Sequence, residues 1–164
     1  MCRLRSLEPK DANNMLRWMQ DWSVVGKLKG NFNKKTINDC YEFIENSLDD
    51  RFNIHKAIVD KEDEYIGTVS LKNIENGMAE FAIVISREAM GKGIAIKAMK
   101  KMLKFGFQEL GLQYIYWYVS KDNNRALRFY DKNGFSRIKD DEIMNVKIDN
   151  SFVWYGISSL SLGG

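Results

Sequence analysis

A turn that contains two glycines lies between an apolar run and an amphipathic stretch, and its chemistry would be anion binding. Residues 79–85 are mostly apolar and rich in β-branched side chains, which predicts a buried strand. Gly91 and Gly93 follow within residues 90–95, where the absence of a Cβ lets a bulky phosphate approach the main chain. The helix predicted next leaves main-chain N–H groups unpaired at its positive end, where phosphate is the usual ligand. We therefore expect an anion site at residues 90–95.

The spacing of these glycines excludes two common phosphate motifs. A dinucleotide fingerprint, G-x-G-x-x-G, requires a small residue at position 96, which is occupied by Ile96. A P-loop requires G-x-x-x-x-G-K-[ST], which the sequence lacks. A lone G-x-G before a helix is also compatible with a tight turn that binds nothing. Taken alone, the turn leaves both interpretations open.

A second motif occupies residues 121–135, which read KDNNRALRFYDKNGF. Its landmarks are an Asn, an Ala three positions later, a Tyr seven positions later and a closing Gly-Phe pair, namely Asn123, Ala126, Tyr130, Gly134 and Phe135. Together with the glycine turn, this motif resembles the GNAT superfamily of acetyl-CoA-dependent N-acetyltransferases. In that family the turn that binds pyrophosphate reads [QR]-x-x-G-x-[GA], and residues 90–95 match it except at Met90.

The resemblance covers most of the chain and extends to one branch of the superfamily. The segment 4–7 followed by Asp11, and the long loop between the first two predicted helices, are similar to the ribosomal-protein-alanine N-acetyltransferases. That branch also contains relatives that act on polyamines, antibiotics and amino sugars. The resemblance therefore implies an acyltransferase that takes its acetyl group from acetyl-CoA. Its implied acceptor is a protein N-terminus or a small amine such as an amino sugar.

The resemblance also implies which residues contact acetyl-CoA and which one protonates the leaving thiolate. Tyr130 matches the general-acid tyrosine of the family, and a thiolate with an intrinsic pKa near ~8.5 leaves more easily when a phenol donates a proton. The alternative for Tyr130 is an aromatic ring packed against Phe129 or Phe135. The residues that we expect to bind the cofactor are Ile83, Ile85, Met90, Gly91, Lys92, Gly93, Ile94, Ala95, Asn123 and Tyr130.

Amide formation also requires a base, because a typical alkylamine has a pKa near ~10 and is protonated at pH 7. A carboxylate, or a water bound to one, can take that proton. Glu80 is the candidate, since it lies in an otherwise apolar strand, where an unpaired carboxylate is costly. Many GNAT members have a glutamate in the corresponding strand. The alternative is that the alternation of the strand directs Glu80 toward solvent or toward a lysine.

Trp22, Phe32 and His55 are the candidates for binding the acceptor. Trp22 and Phe32 lie in a polar loop at the place where GNAT acceptor pockets are usually walled. His55 is the only histidine and can share a proton near neutral pH, although a lone histidine in a strand is more often structural. Because no nucleophile motif is present, we expect the amine to attack the thioester directly in a ternary complex. In the GNAT fold the fourth and fifth strands diverge, and a main-chain N–H at this divergence would stabilise the developing oxyanion.

The lysines of the same loop bear on the identity of the acceptor. Its lysines would repel a polyamine and favour an anionic acceptor such as a nucleotide-linked amino sugar, whereas a solvated loop is the simpler interpretation. These lysines are Lys27, Lys29, Lys34 and Lys35. The alternative function is a GNAT-like domain that binds acyl-CoA without catalysis, as a sensor or interaction module. Tyr130 favours the enzyme, and a Rossmann-like nucleotide binder is the weakest of the three.

The composition is that of an ordinary globular protein, with 45% hydrophobic and 29% charged residues among 164. This length predicts one domain, residues 1–164, and the net charge of +3 does not indicate a nucleic-acid partner. No apolar run approaches the ~20 residues of a membrane span, and two cysteines suit a reducing cytoplasm. No residues have metal-ligand spacing, so we expect no metal. We expect a cytoplasmic monomer or homodimer, since exposed edge strands near the C-terminus favour a dimer.

Periodicity predicts the elements that must position these residues. Seven strands are predicted at 2–7, 54–59, 65–71, 78–85, 112–119, 137–148 and 152–157. Helices are predicted after the caps Asp11 and Thr36 and at 93–110 and 123–133, with a loop at 22–35 and a frayed tail at 158–164. The helix at 93–110 joins the fourth and fifth strands in a crossover that pairs parallel strands. The expected fold is a single-domain α/β GNAT fold with a mostly antiparallel sheet. The resemblance implies that its fourth and fifth strands splay around the pantetheine arm of the cofactor.

Overall fold

A seven-stranded mixed sheet forms the centre of the computed structural model, which describes residues 2–26, 32–139 and 149–162. The strands are β1 (Arg3–Ser6), β2 (Ile54–Val59), β3 (Tyr65–Glu75), β4 (Met78–Ile85), β5 (Tyr114–Ser120), β6 (Ser136–Arg137) and β7 (Phe152–Ser158). Their spatial order is β1-β2-β3-β4-β5-β7-β6. Neighbouring strands are antiparallel except for the parallel pair of β4 and β5. The predicted α/β class and the parallel crossover are therefore confirmed.

Helices cover both faces of this sheet. They are α1 (Ala12–Met19), α2 (Trp22–Val25), α3 (Ile37–Ser47), α4 (Ile94–Gln108), α5 (Asn124–Lys132) and α6 (Ser159–Leu162). Side chains of α4 and α5 share one buried cluster with alternate strand residues such as Ile58, whereas α1 and α3 share another with Ala57 and Val59. The face covered by α4 is called the α4 face below. Among the described residues, no helix is both long and apolar enough to cross a membrane.

The crossover helix α4 is held closely against the sheet. Met99, Met102 and Leu103 of α4 are fully buried, and burial of each such side chain contributes about 1.5–3 kcal/mol. A Cβ at Gly106 would lie 2.9 Å from Cδ1 of Leu71 and 3.0 Å from Cδ1 of Ile115, so glycine permits this close approach. Contacts with both β3 and β5 therefore hold the C-terminal half of α4 against the strands.

The parallel pair β4–β5 opens after three residue pairs. Pairing runs from Met78 with Tyr114 to Glu80 with Tyr116 and then stops. Beyond that point residues 81–85 pair with β3 alone, and residues 117–120 pair with β7 alone. The place where the strands diverge, directly after Glu80 and Tyr116, is called the strand fork below. Its inner edges carry main-chain groups that no neighbouring strand satisfies, which makes the fork a place for an extended ligand.

The cap of α3 and the bounds of two strands agree with the sequence predictions. Thr36 caps α3, because its Oγ1 accepts from the N–H of Asp39 at 3.3 Å while the Asp39 carboxylate accepts from the Thr36 N–H at 2.8 Å. The strands predicted at 54–59 and 78–85 occur with those bounds. The strand predicted at 65–71 is longer, because β3 continues through Glu75 and the chain turns at Asn76 and Gly77.

Asp11 does not cap α1, contrary to the sequence prediction. Its carboxylate instead accepts from the Glu8 N–H at 2.8 Å and from two guanidinium nitrogens of Arg5, each at 2.9 Å. Arg5 also donates to Asp63 in the turn between β2 and β3. Because Asp11 is buried, this charge pairing satisfies it better than a helix cap that faces solvent.

Other boundaries also differ from the sequence predictions. The loop predicted at 22–35 contains α2 and a 3₁₀ turn at Phe32–Lys34, and its residues 27–31 lie outside the described part of the chain. The tail predicted as frayed contains the end of β7 and the short helix α6. Of the strand predicted at 137–148, the described portion is β6, since residues 140–148 also lie outside the described ranges.

Candidate active site

The glycine turn presents unpaired main-chain donors to solvent. Gly91 and Gly93 have φ angles of +79° and +75°, which strain any residue with a Cβ, and Gly93 is the N-cap of α4 without a side-chain cap. Within the described ranges, the main-chain N–H groups of residues 91–96 donate no hydrogen bond to the protein. The exposed ammonium of Lys92 adds positive charge at the same place. This arrangement fits an anionic group such as a pyrophosphate.

Other residues expected to bind the cofactor surround the turn and the strand fork. The Met90 N–H donates to the Arg87 carbonyl at 3.2 Å, and the Met90 side chain packs into the cluster beneath α1 and α3. Met90 therefore stabilises the turn and has no free N–H to offer an anion. Asn123 caps α5, with Oδ1 accepting from the Ala126 N–H at 3.2 Å. The remaining members, Ile83, Ile85, Ile94 and Ala95, are half-buried along β4 beyond the fork or in the first turn of α4.

Tyr130 lies in an aromatic cluster on the α4 face. Its ring centroid is 5.4 Å from that of Trp117, 5.1 Å from Tyr155 and 5.1 Å from Phe129. Its hydroxyl forms no hydrogen bond with any described residue. Burial, followed by the nearby Tyr155, raises the pKa of Tyr130 above its ordinary value, so the hydroxyl keeps its proton throughout the neutral range. Tyr130 is therefore both a packed aromatic and an available proton donor.

The residue after Tyr130 anchors this cluster to the edge of the sheet. The Asp131 carboxylate accepts from the Tyr155 hydroxyl at 2.9 Å and from Nη2 of Arg137 at 2.7 Å. The Tyr155 ring in turn stacks on Trp117 with an interplanar angle of 7°. These contacts tie α5 to β6 and β7 and hold the Tyr130 ring in one orientation.

Glu80 is the last residue of β4 that pairs with β5, and it faces away from Tyr130. Because side chains alternate along a strand, Glu80 lies opposite the α4 face, on what is called the Glu80 face below. Its Oε2 lies 3.1 Å from Nζ of Lys72, its direct partner across β3 and β4, and its side chain is 12% exposed. The alternative interpretation, in which Glu80 faces a lysine, therefore holds, and Glu80 also borders the strand fork.

His55 lies on the Glu80 face, two strands from Glu80. Its Nδ1 and the Ser70 Oγ are 2.6 Å apart, and its ring centroid is 4.6 Å from that of Phe43 of α3. Burial, with a smaller effect of the Lys72 ammonium, lowers the pKa of His55 to about 4, so the imidazole is neutral at pH 7. A neutral imidazole that shares a hydrogen bond suits both a structural role and a wall of the acceptor site.

Aromatic side chains on β5 and β7 adjoin Glu80. Tyr116 and Trp154 are buried together, and the Tyr118 ring centroid lies 4.8 Å from that of Trp154. Burial, followed by the Glu80 carboxylate, raises the pKa of both Tyr116 and Tyr118, which places all three groups in one electrostatic neighbourhood. A carboxylate beside aromatic faces favours a cationic guest.

Two further predicted acceptor residues are arranged differently. The Trp22 side chain is 76% exposed on α2. Phe32 is half-buried and packs edge-to-face on Trp18, with ring centroids 5.3 Å apart. No hydrogen bond or ring contact joins either residue to Glu80 or Tyr130 within the part of the chain that the structure describes. Of the loop lysines, Lys34 and Lys35 are exposed, and Lys27 and Lys29 lie outside the described residues.

The anion turn, the open strand pair and the tyrosine of α5 can be compared with known proteins. Residues 2–136 match the family model of the acetyltransferase (GNAT) domain. The chain belongs to the GNAT family. It is therefore an acyltransferase by family, and this family uses acetyl-CoA.

The similar proteins include enzymes named for a polyamine. The chain is 37% identical over 144 residues to a spermidine N(1)-acetyltransferase of Escherichia coli K12, covering 82% of this chain and 72% of that protein. It is 30% identical over 141 residues to an uncharacterised N-acetyltransferase, p20, of Bacillus licheniformis, covering 82% and 78%. A crystal structure of spermidine N-acetyltransferase from Vibrio cholerae with CoA and spermine superposes with a TM-score of 0.83 at 22% identity, covering 99% and 98%. The last comparison supports the GNAT fold alone.

Sequence reasoning missed several residues around this GNAT site. The Lys72–Glu80 pair follows from the hairpin register, but a shift between Lys72 and Glu75 hides that register from simple counting. Trp117, the first residue of β5 beyond the fork, has a buried Nε1 without a hydrogen-bond partner among the described residues, which no sequence pattern signals. The Asp131–Tyr155 contact joins residues 24 positions apart and depends on the fold. Among the described residues, no group of three or more His, Cys, Asp or Glu side chains could hold a metal ion.

Proposed function

We propose that the protein transfers the acetyl group of acetyl-CoA to a primary amine of a small molecule, by direct attack in a ternary complex. One observation carries this proposal. The β4–β5 pair opens directly after Glu80, with a carboxylate on one face of the opening and the Tyr130 cluster on the other. A proton acceptor and a proton donor thus flank the place where an extended ligand would lie.

The dimensions of the fork support binding of CoA. Between its diphosphate and its sulfur, CoA has about thirteen bonds, and an extended chain advances ~3.5 Å for every three bonds, giving about 15 Å. From Ile85 to Glu80 the strand rises roughly 17 Å. A diphosphate held at the glycine turn would therefore bring the sulfur close to Glu80. Main-chain groups of Ile83 and Ile85 would lie along this arm, and a strand N–H could donate to the carbonyl oxygen of the thioester.

Tyr130 and Glu80 would divide the proton transfers between them. Tyr130, protonated and without a hydrogen-bond partner in the described part of the chain, would donate to the leaving sulfur from the α4 face. Glu80 would accept a proton from the ammonium of the acceptor, directly or through one water, from the opposite face. Because the two groups approach from different sides, neither competes with the other for its proton.

We further propose a cationic small amine as the acceptor, with spermidine as the first candidate. The 37% identity to a protein named spermidine N(1)-acetyltransferase supports a polyamine. The cluster of Glu80, Tyr116, Tyr118 and Trp154 has the chemistry that attracts an ammonium. An amino sugar and a protein N-terminus are the other acceptors to compare, since exposed Lys34 and Lys35 would favour an anionic partner. The buried free thiols of Cys2 and Cys40 suit a cytoplasmic location.

Ligand-dependent thermal stability tests the donor side of the proposal. Acetyl-CoA, CoA and NAD are compared in large excess, because a ligand at ~100 times its Kd stabilises the native state by about 2.7 kcal/mol. We expect stabilisation by both CoA species and none by NAD. Release of thiol is then followed with spermidine, an amino sugar and an N-terminal peptide. No stabilisation by CoA would overturn the assignment of the glycine turn and the reaction with it.

A non-catalytic acyl-CoA-binding module is the second candidate function. The observation that favours it is the ion pair with Lys72, which already occupies the Glu80 carboxylate. This alternative predicts stabilisation by CoA together with no thiol release for any primary amine. Thiol release that depends on an added amine excludes it.

A further inference from the structure

Lys72 presents a primary amine to the carboxylate that the proposed function assigns as the base. Its Nζ lies 3.1 Å from Oε2 of Glu80, and its side chain is 36% exposed. The two residues face each other in the β3–β4 register, so their side chains share the Glu80 face beside the strand fork. The ammonium of Lys72 therefore occupies the position that an acceptor amine would take next to Glu80.

We propose that Lys72 is an internal acceptor, acetylated on Nζ by the enzyme itself when acetyl-CoA is bound and no external amine fills the site. The proposal rests on the proposed function, because it uses the same donor and the same base. Two properties of Lys72 support it. Its functional group is that of the acceptor, and its flexible four-carbon stem lets the amine move toward the fork without movement of β3.

The reaction balances with groups already in place. Glu80 takes one proton from the Lys72 ammonium across their existing contact, and the freed lone pair attacks the carbonyl carbon of the thioester. The N–C bond forms and the C–S bond breaks, with its electron pair leaving on the sulfur of CoA. Tyr130 gives its proton to that sulfur and is reprotonated by the second proton lost from nitrogen. The products are acetyl-Lys72, CoA thiol and one proton released to solvent through Glu80.

Lys56 provides a matched comparison within the same sheet. It lies on β2 and is half-buried like Lys72, but its Nζ lies over the Phe105 ring, 3.8 Å from the ring centroid, on the α4 face. Burial lowers the pKa of Lys56, so its amine is more readily neutral than that of an ordinary lysine. Lys56 thus reports the uncatalysed acetylation of a half-buried strand lysine that lies away from Glu80. Selectivity for Lys72 over Lys56 separates the proposed reaction from chemical acetylation.

The test follows acetylation of the full chain by peptide mass spectrometry after mixing with acetyl-CoA alone. We expect Lys72 to be acetylated at least about tenfold faster than Lys56, because Lys72 is held beside the base. The Glu80→Gln variant should slow acetylation of Lys72 by about 100-fold and leave Lys56 unchanged. The Lys72→Arg variant keeps a cation opposite Glu80 and should lose this acetylation while it still binds acetyl-CoA.

A parallel thiol-release assay with spermidine distinguishes the two levels of the proposal. Transfer to spermidine with equal acetylation of Lys72 and Lys56 would overturn the internal acceptor and leave the proposed function in place. Absence of both transfer and stabilisation by acetyl-CoA would overturn the proposed function, and the internal acceptor with it. Acetylation of Lys72 that exceeds that of Lys56, and that added spermidine suppresses, supports the internal acceptor.

Discussion

At the scale of single residues, Tyr130 combines a fixed ring with a hydroxyl that has no described partner. Trp117, Phe129 and Tyr155 enclose the ring, with centroid distances of 5.1–5.4 Å. The hydroxyl is kept protonated because burial raises its pKa. In the proposed reaction this hydroxyl would need no reorganisation before it protonates the developing thiolate, as expected of an acid in a preorganised site.

Removing this hydroxyl should separate turnover from binding. The Tyr130→Phe substitution keeps the ring and its packing, so we expect kcat to fall by about 10²–10³-fold with little change in the Kd of acetyl-CoA. Steady-state kinetics and ligand-dependent melting measure the two quantities. Tyr41→Phe, on the exposed surface of α3, is the matched control and should leave both unchanged. An unchanged kcat in Tyr130→Phe would remove the tyrosine from the reaction.

His55 should make the stability of the fold depend on pH. Its pKa is lowered from 6.5 to about 4, first by burial and then by the Lys72 ammonium. Between pH 6.5 and 4 the unfolded chain therefore binds more protons at this residue than the folded chain, and stability falls as the pH falls. We expect the free energy of unfolding to lose up to ~3 kcal/mol across this window from His55. Denaturant titrations at several pH values measure this loss of stability. The His55→Gln variant should show much less dependence of its unfolding free energy on pH. An equally steep dependence in the variant and the original protein would contradict the assignment to His55.

At the scale of elements, the start of α4 depends on glycines for two separable reasons. A residue with a Cβ at Gly93 adopts a left-handed conformation at a cost of about 1–2 kcal/mol, and it also crowds the main-chain donors. Gly111 has a similar φ of +67° and equally open surroundings among the described residues, but it follows the C-terminus of α4, at the opposite end of the helix from the glycine turn. We expect Gly93→Val and Gly111→Val to lower the melting temperature similarly, whereas Gly93→Val alone weakens CoA binding. Calorimetric titration with CoA distinguishes the variants, and equal affinity would refute the anion site.

The elements that the sequence predicts well are those with local signals. The strand Ile54–Val59 has a short polar turn after it, and α3 begins at a Thr-x-x-Asp capping box. Predictions failed where long-range pairing decided the outcome. Asp11 is a sound cap by sequence, but the nearby Arg5 draws its carboxylate inward. Trp22 is a pocket candidate by sequence, and its role stays a prediction, since the structure shows its side chain 76% exposed on the short helix α2.

In the candidate site, too, the features with a local sequence signal could be predicted and those that depend on long-range pairing could not. Two family motifs predicted the glycine turn and Tyr130, because each motif has fixed spacing within its own continuous segment. The end of β4–β5 pairing after Glu80 has no sequence signal of its own, since residues 81–85 read as an unbroken strand. Lys72 escaped notice because its partnership with Glu80 depends on a register shift in the hairpin. Contacts between residues on separate strands can be identified only once the fold is known.

At the scale of the whole molecule, the sheet consists of two parts with a narrow connection. Strands β1–β4 form one part and β5, β7 and β6 the other, and they share the pairs from Met78–Tyr114 to Glu80–Tyr116. The helix α4 adds packing across the junction on one face. A ligand in the strand fork would bridge the two parts and give the unpaired edge of residues 81–85 a hydrogen-bond partner.

Hydrogen exchange should therefore report ligand binding as selective protection of the fork. In the free protein we expect amides of 81–85 that face β5 to exchange faster than those of β2, which has a neighbour on each side. Saturating acetyl-CoA should slow exchange in 81–85 and 117–120 by about tenfold or more while residues 54–59 change less, because the ligand would contact the fork and the glycine turn but not β2. Gly93→Val, measured at the same CoA concentration, serves as the control and should show weaker protection of the same segments. Uniform protection of all strands would instead mean that the ligand acts on global stability, and the fork would then not be the place where the arm of CoA binds.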